Sequence, residues 1–153
     1  MEDKEVMIRV TSRQYDDLKE PETISLETPG RFSVRKDGFS ISYEESELTG
    51  MEGTTTSLFV YPGVVRLVRT GKIMQTQEYR VGEKTSSHYE TPAGSMELSV
   101  VTKKLENTVK NGIGTLSVVY DVELEGAFFH RNELLIELWE DVNGSKRTAE
   151  NHH

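Results

Sequence analysis

The sequence predicts an all-β protein built as a single antiparallel up-and-down β-barrel of about eight to ten strands. Apolar and polar residues alternate with a period of two through most of the 153-residue chain, which is the pattern of strands that bury one face. Turns that contain glycine or proline separate these segments at short, even intervals. Each strand is therefore expected to pair with its neighbour in sequence, and closure into a barrel removes the exposed edges of such a meander.

The first half of the chain holds the clearest tight turns. Alternation predicts strands over residues 6–11, 24–28, 32–34, 39–43, 58–61 and 64–69. Pro29-Gly30 is expected to bend or bulge the chain, and Asp37-Gly38 predicts a tight hairpin because both residues tolerate a positive φ. Pro62-Gly63 predicts another hairpin, since proline sets the first turn position and glycine supplies the positive φ of the next.

The second half begins with weaker strands and ends with the longest ones. Strands are predicted over residues 75–81, 85–90, 96–100, 116–124 and 128–139, with a turn at Glu125-Gly126 between the last two. The total is about nine to eleven strands. Residues 16–20 and 103–110 are short and polar, and either segment could hold one turn of helix.

Length and composition predict one domain over residues 1–150, with residues 151–153 as a disordered tail or a tag remnant. The absence of cysteine excludes disulfides, cysteine-ligated zinc and a cysteine nucleophile, and it fits a reducing compartment. The N-terminus has neither a basic region nor an apolar one, so it does not match a secretory signal. We therefore expect a cytoplasmic protein.

The charge pattern argues against two classes of partner. Eighteen Lys and Arg against 26 Asp and Glu give a net charge of −8, which repels a phosphate backbone, so nucleic acid is not expected as a partner. Apolar runs are far shorter than the roughly 20 residues that span a bilayer, so no membrane partner is expected either. The remaining possible partner is a small-molecule ligand. The chain itself is expected to be a monomer or a homodimer.

Three segments resemble the YwiB-like family of uncharacterised bacterial proteins, a domain of unknown function. They are residues 43–56 (YEESELTGMEGTTT), 68–71 (VRTG) and 89–94 (YETPAG), and the resemblance extends from about Val6 to Trp139. It implies a calycin-like, lipocalin-related barrel in the cytoplasm of mainly Gram-positive bacteria. It transfers no catalytic residue.

The most distinctive of these segments is acidic. Glu44, Glu45, Glu47 and Glu52 supply carboxylates of the kind that bind hard cations, but their spacing is not that of a calcium loop. We interpret the segment as a solvated loop in which Gly50 and Gly53 adopt unusual backbone angles. We expect no metal site and no cofactor.

Arg69 shares a strand face with two apolar residues, so it must be paired or reach a wet cavity. One interpretation is an anchor for a ligand carboxylate or phosphate. The other is a structural ion pair with Glu45 or Glu47. Tyr43, Tyr89 and Tyr120 are expected to point inward, where a ring is buried while its hydroxyl serves a partly polar pocket or simply finds a partner in the core.

Candidate ligand-binding residues at the mouth and interior of the barrel are therefore Tyr43, Glu45, Arg69, Tyr89 and Tyr120. His88 and His130 are expected on the surface, and no residue is assigned a catalytic role. Three functions follow from these patterns. The first is a non-catalytic module for a small hydrophobic or amphipathic ligand. The second is a filled barrel that binds proteins through Phe128, Phe129 and Trp139, and the third is a hydrolase-type enzyme that uses carboxylates such as Glu45 or Glu90.

Overall fold

A computed structural model describes residues 3–16 and 19–140 of the chain. In these ranges the strands are β1 (Asp3–Asp16), β2 (Lys19–Arg35), β3 (Gly38–Glu44), β4 (Thr54–Tyr61), β5 (Val64–Gly71), β6 (Gln75–Arg80), β7 (Lys84–Thr91), β8 (Gly94–Asn107), β9 (Gly114–Leu124) and β10 (Ala127–Glu140). A short 3-10 turn covers Glu47–Thr49. Within the described ranges, no helix has the length and apolarity that crossing a bilayer requires. The all-β prediction is confirmed, and the tail predicted at residues 151–153 lies outside the described residues.

The strands form one antiparallel sheet in the order β6-β5-β4-β3-β2-β1-β10-β9-β8-β7. Every strand pairs with its neighbour in sequence except that β6 does not pair with β7. The first strand, β1, also pairs with the last, β10, where Ile8 lies opposite Leu138. This is the predicted up-and-down meander. Its two edges are β6 and β7, which follow each other in the chain.

These two edges meet and nearly close the sheet into a barrel. Met74, just before β6, and Glu90 on β7 exchange backbone hydrogen bonds of 3.0 and 2.9 Å. At the other end the chain just after β6 contacts β8, where Gly82 N donates to Thr102 O at 2.9 Å. Between these contacts no backbone ladder joins β6 to β7 in the part of the chain that the structure describes. We call this stretch, residues 75–80 and 84–89, the seam.

Side chains bridge the seam in place of the backbone. Gln75 Nε2 donates to Ser87 Oγ at 3.1 Å, and Gln77 Nε2 donates to Thr85 Oγ1 at 2.8 Å. The two glutamines and Ser87 are buried. Buried amides and hydroxyls need hydrogen-bond partners, and here they find them across the opening, so polar groups close the barrel on this side.

The interior is filled at one end. Alternate inward residues pack there in a continuous apolar core that includes Val6, Ile8, Phe32, Ile41, Leu58, Val60, Val65, Leu116, Val118, Ile136 and Leu138. The antiparallel register brings them together, since Ile8 lies opposite Leu138 and Val60 opposite Val65. Each such side chain contributes about 1.5–3 kcal/mol through removal from water, so this end holds the barrel together.

Two local predictions need correction, and a third is confirmed. Residues 103–107 belong to strand β8, so the segment 103–110 does not begin with a helical turn. The β1–β2 register runs through Pro29 and Gly30 without a shift, so no bulge lies there. A Cβ on Gly30 would lie 2.2 Å from Ile8 Cδ1, so this glycine permits close packing. The tight hairpin predicted at Asp37-Gly38 is confirmed between β2 and β3, with a positive φ at Asp37 (65°) and Gly38 as the first residue of β3.

Candidate functional site

The barrel is hollow at the end away from the packed core. A cavity of about 430 Å³ lies there, and strands β1, β2, β3 and β5 to β10 contribute to its walls. The structure brings all five candidate residues, Tyr43, Glu45, Arg69, Tyr89 and Tyr120, onto the lining of this one cavity. Their role in binding a ligand stays a prediction.

Strand register explains how several of these residues meet. Tyr43 on β3 lies opposite Thr56 on β4, Thr56 lies opposite Arg69 on β5, and Arg69 lies opposite Gln75 on β6. Residues directly opposite on one face of a sheet are in side-chain contact range. Because all four are inward positions, they form a polar row across four strands.

Glu45 and Arg69 form an ion pair beside this row. Glu45 Oε2 lies 4.0 Å from Arg69 Nε, and the side chains are 2% and 19% exposed. Thr56 Oγ1 donates to the same carboxylate oxygen at 2.6 Å, and Arg69 Nη1 donates to Gln75 Oε1 at 2.7 Å. The structural ion pair between Arg69 and Glu45 is therefore observed, and the role of Arg69 as a ligand anchor stays a prediction.

The acidic loop is solvated with one exception. Glu44, Glu47 and Glu52 are exposed as predicted, whereas Glu45 is buried. Ser46 caps the short 3-10 turn by accepting a hydrogen bond from Leu48 N, and Gly50 ends the turn with a φ of 76°. The predicted unusual backbone angle of this glycine is confirmed, and the loop after Glu45 reaches the cavity wall at residues 49–51.

The tyrosines give the cavity an uncharged aromatic wall. Burial raises the pKa of the Tyr43 phenol above its usual value, and the nearby Glu45 carboxylate adds to the rise. Burial also raises the pKa of Tyr79, whose ring lies 4.7 Å from that of Tyr120. The phenols of Tyr43 and Tyr79 therefore stay protonated at neutral pH and serve as neutral hydrogen-bonding groups.

His130 corrects a prediction. This histidine was expected on the surface, but it is buried and lines the cavity. The turn before it is at Glu125-Gly126, so His130 lies within strand β10 and not in the hairpin turn. Burial lowers its pKa, and Asp16 partly opposes this. The signal was present in the alternation of β10, because Leu134, Asn132 and His130 share a face. His88, by contrast, is exposed as predicted and pairs with Glu90 and Glu97.

Sequence reasoning also missed the polar side chains Gln75, Gln77 and Asn132, all of which line the cavity. Asn132 Nδ2 donates to Tyr120 Oη at 3.1 Å. Isolated polar residues on apolar strand faces were the available signal. A period-two pattern alone does not say which face of the weakly patterned strand β6 points inward.

Apolar side chains surround the mouth. Ile24, Met96 and Phe129 line the cavity and are 44%, 47% and 56% exposed. We call these three residues the rim. The arrangement places polar and aromatic groups inside and exposed apolar groups at the entrance.

The two carboxylates predicted for catalysis, Glu45 and Glu90, do not converge on this cavity. Glu45 is the one carboxylate on the cavity wall among the described residues, while Glu90 is exposed and pairs with His88. In the described ranges no three His, Asp or Glu side chains form a group that could hold a metal ion. The geometry thus offers a hydrogen-bonding chamber.

Comparisons with known proteins agree with the predicted resemblance. The model of a family described as "Domain of unknown function (DUF1934)" matches residues 8–136. The "Uncharacterized beta-barrel protein YwiB" of Bacillus subtilis (strain 168) is 26% identical over 131 residues, covering 86% of this chain and 90% of that protein. The crystal structure of ywiB protein from Bacillus subtilis matches with a TM-score of 0.82 at 24% identity, covering 92% of this chain and 94% of that one. The solved structure supports the barrel fold.

Proposed function

The chain belongs to the DUF1934 family, a domain of unknown function, and we propose that it is a non-catalytic binding module for a small amphipathic molecule. The observation that carries the proposal is the half-hollow barrel, whose cavity of about 430 Å³ has buried polar groups inside and an apolar rim. Ligand sites are commonly concave chambers of a few hundred Å³ with a few placed polar groups. The lack of cysteine fits a cytoplasmic place of action.

The inner wall of the cavity is more deeply buried than its rim, and this difference favours one orientation of the ligand. Tyr43, Gln77 and Tyr79 are 6%, 1% and 4% exposed, whereas the rim residues are about half exposed. A molecule that enters with its polar end first leaves its apolar part against the rim. The buried Gln77 Oε1, which has no hydrogen-bond partner among the described residues, then gains one, and the rim is covered. Both ends of the molecule therefore lower the free energy of the complex.

A blocking variant tests the proposal. Leu98 lies on the cavity wall, and neighbouring Ser99 on β8 faces the other side of the sheet. Leu98→Trp therefore places an indole in the chamber and obstructs it, and Ser99→Trp is the matched control. Native mass spectrometry of protein purified from its own host should show a bound small molecule on wild type and on Ser99→Trp, and little or none on Leu98→Trp. Equal occupancy of both variants would refute binding inside the barrel.

A second candidate function is self-association through the last hairpin. Phe128 and Phe129 are 51% and 56% exposed at the start of β10. Trp139 does not join them, because it lies near the other end of β10, where the Arg9 guanidinium is 5.4 Å from its ring centre. Light scattering of wild type and Phe128→Ser distinguishes the two functions, since a dimer that this variant dissociates would favour association.

A further inference from the structure

We propose that the head group held in this cavity is uncharged and carries several hydroxyl groups. This inference rests on the proposed function, the binding of an amphipathic molecule with its polar end inside. It concerns which polar end the chamber accepts. Two sets of contacts carry it, namely the cancelled charge of the wall and the buried polar atoms that lack partners.

The charge of the cavity wall is already balanced. Arg69 and Glu45 are the two charged side chains among the described residues that line the cavity, and they lie 4.0 Å apart. Arg69 Nη1 is also occupied by Gln75 Oε1. An anionic head group would compete with the Glu45 carboxylate and a cationic one with the guanidinium, while each would lose its own hydration. A neutral head group avoids this cost.

Gln77 presents a free acceptor. Its Nε2 donates to the carbonyl of Glu78 at 2.9 Å and to Thr85 Oγ1 at 2.8 Å. Because a carbonyl only accepts, the amide orientation is set and Oε1 must face elsewhere. That oxygen is buried with no hydrogen-bond partner among the described residues, in a side chain that is 1% exposed. It requires a donor, which a carboxylate or quaternary ammonium cannot supply.

Arg69 presents the complementary free donor. Its Nε is buried and has no hydrogen-bond partner in the described ranges, since the carboxylate at 4.0 Å lies beyond hydrogen-bond distance. Arg69 lies opposite Gln75, and Gln77 is the next inward residue on β6, so Arg69 and Gln77 are diagonal neighbours about 7–8 Å apart at their backbones. A hydroxyl both donates and accepts, so one polyol ring can serve both atoms.

Amphiphiles with one C8 tail and different heads test this selectivity. Octyl β-glucoside, octanoate and octyltrimethylammonium would be titrated below their micelle concentrations by isothermal calorimetry against wild type and the Leu98→Trp and Ser99→Trp variants. We expect the glucoside to bind wild type at least about tenfold more tightly than either ion. We expect Leu98→Trp to abolish this binding and Ser99→Trp to keep it.

A charge-switch variant tests the cause. Glu45→Gln leaves Arg69 unbalanced, so octanoate affinity should rise about tenfold while that of octyltrimethylammonium does not. Circular dichroism checks its fold, and if it does not fold, Arg69→Gln should shift preference toward octyltrimethylammonium. A wild-type chamber that prefers octanoate, with Leu98→Trp abolishing that binding, would overturn the neutral head group and leave the proposed function standing. Absence of binding by all three amphiphiles, or binding unaffected by Leu98→Trp, would overturn both.

Discussion

Replacing Arg69 by methionine tests how far the cavity wall depends on its ion pair. The substitution keeps an apolar stem but leaves the Glu45 carboxylate, 2% exposed, with uncharged hydrogen-bond partners, the Thr56 hydroxyl at 2.6 Å and the Tyr43 phenol. Two unit charges 4 Å apart attract by about 4 kcal/mol at the effective dielectric constant of a protein near its surface. The Arg69 side chain is 19% exposed, so solvent weakens the attraction between the two charges. We expect the free energy of unfolding to fall by about 2–4 kcal/mol.

Urea denaturation with a double-variant cycle measures the effect. Arg69→Met/Glu45→Gln should be less destabilised than Arg69→Met alone, because it leaves no uncompensated charge in the wall. Arg66→Met is the matched control on the same strand, since Arg66 faces outward, is 53% exposed and pairs with Glu78 at 3.2 Å. Exposed pairs contribute about 0–1 kcal/mol. A loss no larger for Arg69→Met than for Arg66→Met, or additive costs in the cycle, would refute the reasoning.

Three further predictions concern stability. Leu116→Ala in the packed core should lower the free energy of unfolding in urea by about 3 kcal/mol. Leu98→Ala should lower it by about 1 kcal/mol, because Leu98 already borders empty space. Equal losses would contradict the half-filled interior. Gly71→Ala should lower the melting temperature more than Gly63→Ala. Both glycines have positive φ, but the new Cβ at Gly71 would lie 2.2 Å from Gly53 O, whereas that at Gly63 meets nothing within 4 Å. Burial lowers the pKa of the His130 imidazole below its usual value of 6.5. The stability that depends on a neutral His130 is therefore fully present above pH 6.5 and is lost as the pH falls through the lowered pKa. Melting curves between pH 7 and 5 should therefore show a smaller acid-induced loss for His130→Gln than for wild type.

Much of the fold could be predicted because its information is local. The alternation in β9 and β10 marks both strands and their buried face, and the Pro62-Gly63 turn places β4 beside β5. The segment 103–107 was harder, since four of its five residues are polar and carry no alternation, although Leu105 packs against the core. Pairing with β9 makes this segment a strand, and pairing is not visible in a single segment.

The candidate site could be predicted in part for the same reason. Val65, Leu67 and Arg69 share one face of β5, so an inward arginine could be read directly, together with Glu45 as one of two partners. The burial of His130 was missed because the residue was assigned to the last hairpin. The turn of that hairpin lies several residues earlier, at Glu125-Gly126. Gln77 was missed because β6 has weak apolar alternation, and its buried face depends on β5 and β7.

The sequence by itself determined the class of the protein, the order of its strands and the turns between them, because period-two patterns and turn residues act over a few positions. Tertiary structure decided that the barrel is packed around Ile8 and Leu116 but hollow beneath Tyr43. It also decided that polar side chains close the seam, as Gln77 does through Thr85. The physical reason is that interior volume and closure depend on side chains from every strand at once, and the register that brings them together is set by pairings across the whole chain.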